Sequence, residues 1–273
     1  MSQRQMRVGI VQAAAGPGEV DRNLAVLERW VGEAAAQGAD VVVTPELFAT
    51  GYDPATAWTH DAEQIRGRLV RVASRAGVGL VASTVDTAGG RSHISASFFD
   101  PDDGEIGRVR KRHLYGATER QYFAPGDDYG LPVDWRGLRW GLGICYDVEF
   151  PEFARAQARH GVQVLLVPTA VPVLDDPGPL PLDGEAPAPE DRYSATLTST
   201  LQVPSRALEN GLYIAYANHA GEGFTGYSCI ATPAGRHAVL MDASTEGVAV
   251  APVRAAMVEH ARGLNTYLED LGR

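Results

Sequence analysis

The stretch Gly141-Leu-Gly-Ile-Cys-Tyr-Asp-Val-Glu-Phe-Pro-Glu152 joins an apolar run to a helix start through a cysteine. Residues 140–144 have the composition of a buried strand, and the acidic residues and proline that follow are typical of a helix start. At such a junction, backbone N–H groups and the helix dipole favour a thiolate and an oxyanion. Cys145 is therefore either a nucleophile or a small apolar thiol that ends a core strand.

Two other apolar runs end at polar side chains. Residues 41–43 form a predicted buried strand followed by Glu46, and a predicted strand at residues 104–110 is followed by Lys111. Ligand sites in α/β sheets lie beyond the carboxyl ends of the strands, so we expect these two side chains to converge with Cys145 there. Taken singly, Glu46 could cap its turn and Lys111 could be a solvated residue of a basic run.

Short motifs, three of which contain Glu46, Lys111 and Cys145, are spread along nearly the whole chain. They are Thr44-Pro-Glu-Leu-Phe48 with Gly51-Tyr52, Arg110-Lys-Arg-His-Leu114, Glu119 before Phe123-Ala-Pro-Gly126, Cys145-Tyr-Asp147 with Phe150-Pro-Glu152, Arg206-Ala207 with Glu209-Asn210, and Asn218. Their joint order and spacing is much more specific than any one of them. In this pattern the chain resembles the nitrilase superfamily of carbon–nitrogen hydrolases, and most closely its amidase branch.

The resemblance implies a catalytic set around Cys145. Glu46 corresponds to the general base, a role that fits a carboxylate whose burial should raise its pKa. Lys111 and the backbone N–H of Tyr146 would stabilise the oxyanion of a tetrahedral intermediate. Glu119 corresponds, by resemblance alone, to a second carboxylate that positions the lysine and the substrate. The implied reaction hydrolyses a small amide through an acyl-thioester, with no metal and no organic cofactor.

The resemblance also implies an α/β fold, a four-layer α–β–β–α sandwich with pseudo-symmetric halves, and dimers that pair through helices. We therefore expect a homodimer or a higher even-numbered homo-oligomer. The opening residues alternate strand, helix and strand, which agrees with a sheet covered by helices. Helices are predicted at residues 21–37, 61–76, 151–160 and 254–262. Residues 114–123 show no clear period and are predicted to form a loop across the mouth of the site.

The acyl pocket has several candidate lining residues, although the aromatic ones could equally belong to the core. They are Tyr52, Tyr115, Tyr146, Thr169 and Ala170. Asn218-His219 is a further candidate for the mouth of the pocket. Relatives that bind a substrate carboxylate commonly carry an arginine shortly after Cys-Tyr-Asp, whereas this chain has Glu149 there. A carboxylate facing the pocket would repel an acidic substrate, so a neutral or cationic amide is favoured. The Cys-Trp-Glu pattern of true nitrilases is also absent.

Composition limits the class of protein. With 273 residues, 45% of them hydrophobic, the chain is expected to form a single domain over residues 1–273. A loop rich in proline and acidic residues is expected at about residues 171–195, either as a lid or as an inconsequential insertion, and a C-terminal helix and tail from about residue 253.

Charge and cysteine usage indicate the partners and the compartment. A net charge of −10 argues against nucleic-acid and anionic-membrane partners and suits a small-molecule enzyme. The seven histidines are scattered without metal-ligand spacing. Two cysteines and no apolar signal region predict a cytoplasmic location.

Three alternatives remain open at this point. The first is an N-carbamoyl-amine hydrolase or a nitrilase of the same fold. The second is a thiol protease that uses His113 or His219 as its base. The third is a binding or regulatory protein without catalysis, which the presence of Glu46, Lys111 and Cys145 together argues against.

Overall fold

The computed structural model describes residues 5–174, 176, 178, 188 and 192–272. The strands in this part of the chain are β1 (Gln5–Gln12), β2 (Val41–Val43), β3 (Gly79–Ala88), β4 (Arg91–Asp100), β5 (Gly104–Arg110), β6 (Val133–Trp135), β7 (Leu138–Leu142), β8 (Val164–Pro168), β9 (Tyr213–Ala217), β10 (Cys229–Ala231), β11 (His237–Leu240) and β12 (Gly247–Arg254). The helices are α1 (Val20–Ala36), α2 (Pro54–Ala57), α3 (Ala62–Ala76), α4 (Gly116–Tyr122), α5 (Pro151–Arg159), α6 (Val203–Asn210), α7 (Ala255–Leu264) and α8 (Tyr267–Asp270).

These strands form two six-stranded sheets with related topology. The first sheet has the order β12-β1-β2-β3-β4-β5, and the second has the order β11-β10-β9-β8-β7-β6. Three adjacent strands are parallel in each sheet, β1 to β3 in the first and β7 to β9 in the second. Antiparallel neighbours flank both sets. The two halves of the chain therefore repeat one arrangement, although their sequences show no visible repeat.

The strand β2 shows why the apolar runs are continuous. Val41 and Val43 belong to a core cluster shared with the second sheet, whereas Val42 belongs to a separate cluster with helices α1 and α3. Successive side chains of a strand point to opposite faces, so both faces of the first sheet are covered. Helices α5 and α6 contact each other, and α6 contacts β9 of the second sheet. The result is the expected four-layer α–β–β–α sandwich.

Local patterns predicted most helices well, and the region before the second sheet less well. The helices at residues 21–37, 61–76 and 151–160 are present to within one residue at each end. Residues 114–123, predicted as a loop, instead contain helix α4. That helix is only seven residues long, too short to show an amphipathic period, and tertiary contacts stabilise it.

For the last part of the chain, the sequence predicts a strand at residues 224–231 and two strands near residues 237–242 and 247–250 that finish the sheet. The strand expected at residues 224–231 is limited to β10, because Gly226 and Tyr227 have positive φ angles of 66° and 52° that interrupt an extended chain. Strands β11 and β12 were expected to complete one sheet together. They lie instead at the edges of different sheets, and β12 pairs with the N-terminal β1.

Two further features concern the surface. Most of the proline-rich stretch lies outside the described residues, so its predicted role as a lid is not addressed by the structure. Across the described ranges, no helix is long and apolar enough to span a membrane.

Candidate active site

Glu46 lies where the two sheets meet. It follows β2 after Thr44 and Pro45, and its backbone N–H donates to the carbonyl of Thr169 at the end of β8, at 3.1 Å. Its side chain is fully buried. The next residue, Leu47, has a left-handed φ of 50°, which turns the chain away and leaves the carboxylate aimed between the sheets.

Lys111 follows β5 and is fully buried. Its backbone is held on both sides, since its N–H donates to Ile94 O at 2.8 Å and its carbonyl accepts from Gly126 N at 2.8 Å. Its Nζ donates to Glu46 Oε1 at 2.8 Å and to Glu119 Oε1 at 2.7 Å. The ammonium group therefore bridges two buried carboxylates.

The composition of the chain also distinguishes Lys111. The chain has 24 lysines and arginines together, and Lys111 is the only lysine among them. A composition that uses arginine everywhere else keeps lysine where a compact point charge is needed, because a planar guanidinium has a different size and hydrogen-bonding geometry.

Helix α4 supplies Glu119, which is 1% exposed. Its Oε1 accepts from Lys111 and also from the Tyr52 hydroxyl at 2.6 Å, and its Oε2 accepts from the backbone N–H of Tyr115 at 2.7 Å. The hydrogen bond from Tyr115 satisfies a backbone donor at the start of α4, which helps to explain why this short segment is helical.

Cys145 begins a 3₁₀ turn after β7 and adopts a left-handed φ of 47°, which is uncommon for a residue other than glycine. The carboxylate of Asp147 holds this turn, because its Oδ2 accepts from Ile144 N at 3.2 Å and its Oδ1 accepts from His113 N at 2.9 Å. The same carboxylate thus ties the cysteine turn to the segment that carries Lys111.

The electrostatics differ from the sequence-based expectation for the thiol. Burial raises the pKa of Cys145 well above its usual value, and the negative charge of Glu46 raises it further. Lys111 and the backbone N–H of Ala170 lower it, but not enough to offset these effects. The expectation that a helix start would favour a resting thiolate is therefore wrong, because burial beside a carboxylate outweighs the local dipole.

Glu46 binds a proton more readily than an ordinary carboxylate does. Burial raises its pKa, the charge of Lys111 lowers it and that of Glu119 raises it, so that the pKa is about 7. The pKa of Lys111 is lowered by burial but raised more by the charges of its neighbours, and the net shift is upward. A protonated lysine thus lies beside a carboxyl group that can gain or lose a proton near neutral pH.

A cavity of about 220 Å³ opens at Cys145. Its lining includes four further residues predicted from the sequence, which are Tyr115, Tyr146, Glu149 and Ala170. The structure adds Thr198 and five residues of the stretch at about residues 171–195, namely Val171, Pro172, Leu174, Tyr193 and Ala195, none of which the sequence singled out. A wider surface cleft of about 580 Å³ lies by Asp86 and Arg110, but it contains none of the buried catalytic candidates.

Other predicted site residues lie behind the cavity. Tyr52 is tied to Glu119 by its hydroxyl, and Thr169 is fully buried with its hydroxyl donating to Val167 O at 3.2 Å. Asn218, expected at the mouth, is also fully buried, and its Oδ1 accepts from Val171 N at 2.9 Å. These side chains support the walls of the site.

The two histidines considered as bases are engaged elsewhere. His219 Nε2 hydrogen-bonds the backbone carbonyl of Glu46 at 2.7 Å, and burial lowers its pKa to about 4. His113 Nδ1 contacts Asp147 Oδ1 at 2.9 Å, and its ring stacks on Phe150 at 3.6 Å. These contacts give the histidines structural roles. Within the described ranges, no group of three or more potential ligands is arranged to hold a metal ion.

Comparisons with known proteins agree with this geometry. The carbon-nitrogen hydrolase family model matches residues 7–263. A nitrilase of Pyrococcus abyssi is 31% identical over 97% of this chain and 97% of its own length. An (R)-stereoselective amidase of a Pseudomonas species is 30% identical, over 97% of this chain and 91% of its own length.

A solved structure is similar throughout. The amidase from Nesterenkonia sp. AN1, a double mutant in complex with acrylamide, is 30% identical and has a TM-score of 0.82, covering 97% of this chain and 94% of its own. Another mutant of that amidase shows covalent addition of the acetamide moiety of fluoroacetamide at the active site cysteine. The present chain belongs to the carbon–nitrogen hydrolase family.

Proposed function

We propose that this protein is a cofactor-independent thiol amidase, which hydrolyses a small carboxamide to the carboxylic acid and ammonia. One observation carries the proposal: the buried ammonium of Lys111 bridges Glu46 and Glu119 beside a buried, strained Cys145. Proton transfer, oxyanion stabilisation and nucleophilic attack all have a candidate group within this cluster.

In the first half of the reaction, the Cys145 sulfur attacks the amide carbon while Glu46 accepts the thiol proton. A base is needed because the thiol is held protonated by its surroundings. Lys111 keeps its proton and, with the backbone N–H of Tyr146, stabilises the negative charge on the substrate oxygen. The C–N bond then breaks, ammonia leaves with the proton from Glu46, and an acyl-thioester remains on the sulfur.

In the second half, Glu46 deprotonates a water molecule that attacks the thioester carbon. The C–S bond breaks, the carboxylic acid is released, and the proton returns to Cys145. One group serves as base and then acid in each half, which requires a pKa near the working pH, and the pKa of Glu46 is about 7. Glu119 holds Lys111 in place, with Tyr52 as its second partner.

The test is intact-mass analysis of the wild type mixed with a panel of small amides, with ammonia release followed in parallel and Cys145→Ala as control. We expect ammonia release with an acyl adduct on the wild type, and neither in the variant. Nitriles and N-carbamoyl amines in the same panel test the alternative members of the family. Ammonia release that persists in Cys145→Ala would refute thiol catalysis.

We also propose a single-domain enzyme of the cytoplasm that forms an even-numbered homo-oligomer. The two cysteines are free and buried, which suits a reducing compartment. An apolar cleft of about 460 Å³ includes Leu208, Tyr267 and Leu271, side chains that are 41–59% exposed in the isolated chain. Such a surface is typical of a subunit interface. Light scattering of the wild type and of Leu208→Glu would test this, with dissociation expected in the variant.

A further inference from the structure

The cavity at Cys145 contains a carboxylate that the proposed reaction does not use. Glu149 ends the 3₁₀ turn that Cys145 begins, so both side chains belong to one short, rigid segment. Both line the same cavity. The Oε1 atom of Glu149 accepts from the Thr198 hydroxyl at 3.4 Å. This is a long hydrogen bond from a neutral donor, so it leaves most of the carboxylate charge uncompensated.

The positive groups near Glu149 are engaged by other partners. Lys111 is bonded to two other carboxylates. Arg206 donates from Nη2 to the backbone carbonyl of Glu149 at 2.8 Å and from Nη1 to Glu209 at 3.3 Å, while its buried Nε has no hydrogen-bond partner among the described residues. Among the described residues that line the cavity, Glu149 is the acidic member, and lysine and arginine are absent. The cavity therefore presents a negative potential.

Burial also changes the electrostatics of this carboxylate. It raises the pKa of Glu149, while the Thr198 hydroxyl and the charges of Lys111 and Arg206 act to lower it, and the net shift is upward. A carboxylate in this situation is stabilised by a cation brought next to it.

Tyrosine rings surround the same space. Tyr115, Tyr146 and Tyr193 line the cavity, and the rings of Tyr115 and Tyr146 meet edge to face with centroids 5.3 Å apart. Burial and then the charge of Glu149 raise the pKa of Tyr193, so this phenol lies within the electrostatic range of the carboxylate. Tyrosine faces attract ammonium groups, and a carboxylate among them makes a cation site.

We propose that this cavity selects amides that carry an ammonium group, with the carboxylate of Glu149 and the surrounding tyrosine rings binding the cation. The inference rests on the proposed amidase function and narrows its substrate class. The cavity volume of about 220 Å³ is below the usual range of pockets for drug-sized ligands, so the proposed substrate is a short amino amide. An acidic substrate would be repelled by the same carboxylate, and a neutral one would gain no charge interaction.

The test compares pairs of amides in which one member carries an ammonium group where the other carries a methyl group. The pairs are glycinamide with propanamide, β-alaninamide with butanamide, and 4-aminobutanamide with pentanamide, assayed at pH 7, where the amines are mostly protonated. For each pair the readout is the ratio of kcat/KM, cationic over neutral. This ratio cancels any general loss of activity, so a merely structural change does not alter it.

The variants are Glu149→Gln, Glu149→Asp and a matched control, Glu152→Gln, which removes a charge from an exposed residue three positions further along the chain. We expect a ratio above one in the wild type for at least one pair. Glu149→Gln should lower that ratio at least tenfold, as for loss of a hydrogen bond to a charged group. Glu149→Asp keeps the charge and should retain part of the preference, and Glu152→Gln should leave the ratio unchanged.

An unchanged ratio in Glu149→Gln, or a wild type that prefers the neutral amide in every pair, would overturn the inference while leaving the amidase function intact. If no amide of either series is hydrolysed, the proposed function fails. Calorimetry with Cys145→Ala then decides the inference separately. Tighter binding of an amino amide than of its neutral partner, lost on adding Glu149→Gln, supports it, and the absence of such a difference refutes it.

Discussion

Replacing Lys111 by methionine should reveal how strongly the buried charge cluster depends on its single cation. Methionine has a similar length and volume, so the change removes a charge and two hydrogen bonds without opening a large cavity. The side chains of Lys111, Glu46 and Glu119 are at most 1% exposed, so the two carboxylates would be left without a countercharge in a dry site. Removing one member of a buried ion pair destabilises a protein by about 3–5 kcal/mol.

The loss should depend on pH in a definite direction. Without Lys111, the pKa of Glu46 is expected to rise further above its value in the unfolded chain. A carboxyl group whose pKa is raised by folding contributes stability at low pH and loses it as the pH rises through the folded pKa. The deficit should therefore be largest at pH 8 and smaller at pH 5, where Glu46 can bind a proton.

Thermal unfolding followed by circular dichroism at both pH values is the assay. For a domain of this size class, each kcal/mol shifts Tm by roughly 2–4 °C, so Tm should fall by roughly 6–20 °C at pH 8. Arg75→Met is the matched control, because Arg75 is 69% exposed and pairs with Glu28 at the surface. Adding Glu46→Gln to Lys111→Met should recover part of the loss. A fall of less than 2 °C, or one equal at both pH values, would refute the reasoning.

Three further predictions concern activity and backbone strain. Glu46→Gln should lower kcat/KM by about 10²–10⁴-fold, and the wild-type kcat/KM should decline as the pH falls through about 7, because only deprotonated Glu46 can accept the thiol proton; a pH-independent profile between 6 and 8 would contradict this. Lys111→Arg keeps the charge but should still lower kcat/KM at least tenfold, because a guanidinium does not match the bridging geometry; wild-type rates in steady-state assays would show that charge alone suffices. Gly51→Ala should destabilise the fold by about 1–3 kcal/mol in urea unfolding, because Gly51 has a φ of +70° and an added Cβ would lie 2.6 Å from Gly16 O. Gly18→Ala is the control, since Gly18 has a similar φ of +74° but open space around the Cβ. An equal loss of stability in both variants would show that the close contact does not matter.

The sequence by itself determined the elements whose cause is local. Apolar runs bounded by glycine and proline located the central strands, and a 3.6-residue period located helices α1 and α3. The chemistry-bearing residues Glu46, Lys111 and Cys145 could be recognised because each lies within three residues of the end of a strand, and strand direction places their side chains at one edge. Family resemblance was needed for Glu119, because its short helix has no sequence pattern of its own and depends on contacts made after folding.

Only the tertiary structure decided the properties that depend on remote parts of the chain. The pairing of β12 with β1 joins residues that are 235 to 249 positions apart, and no local pattern encodes such contacts. The protonation tendency of Cys145 was likewise undetermined, because burial beside the Glu46 carboxylate outweighs the helix start that the sequence shows, whereas the raised pKa of Glu46 was predicted from its buried strand end. Tyr193, near the far end of the proline-rich stretch, lines the cavity, although the sequence of that stretch has no regular period that would predict this position. The sequence specifies which groups are available, whereas burial and distance, which only folding sets, decide how they behave.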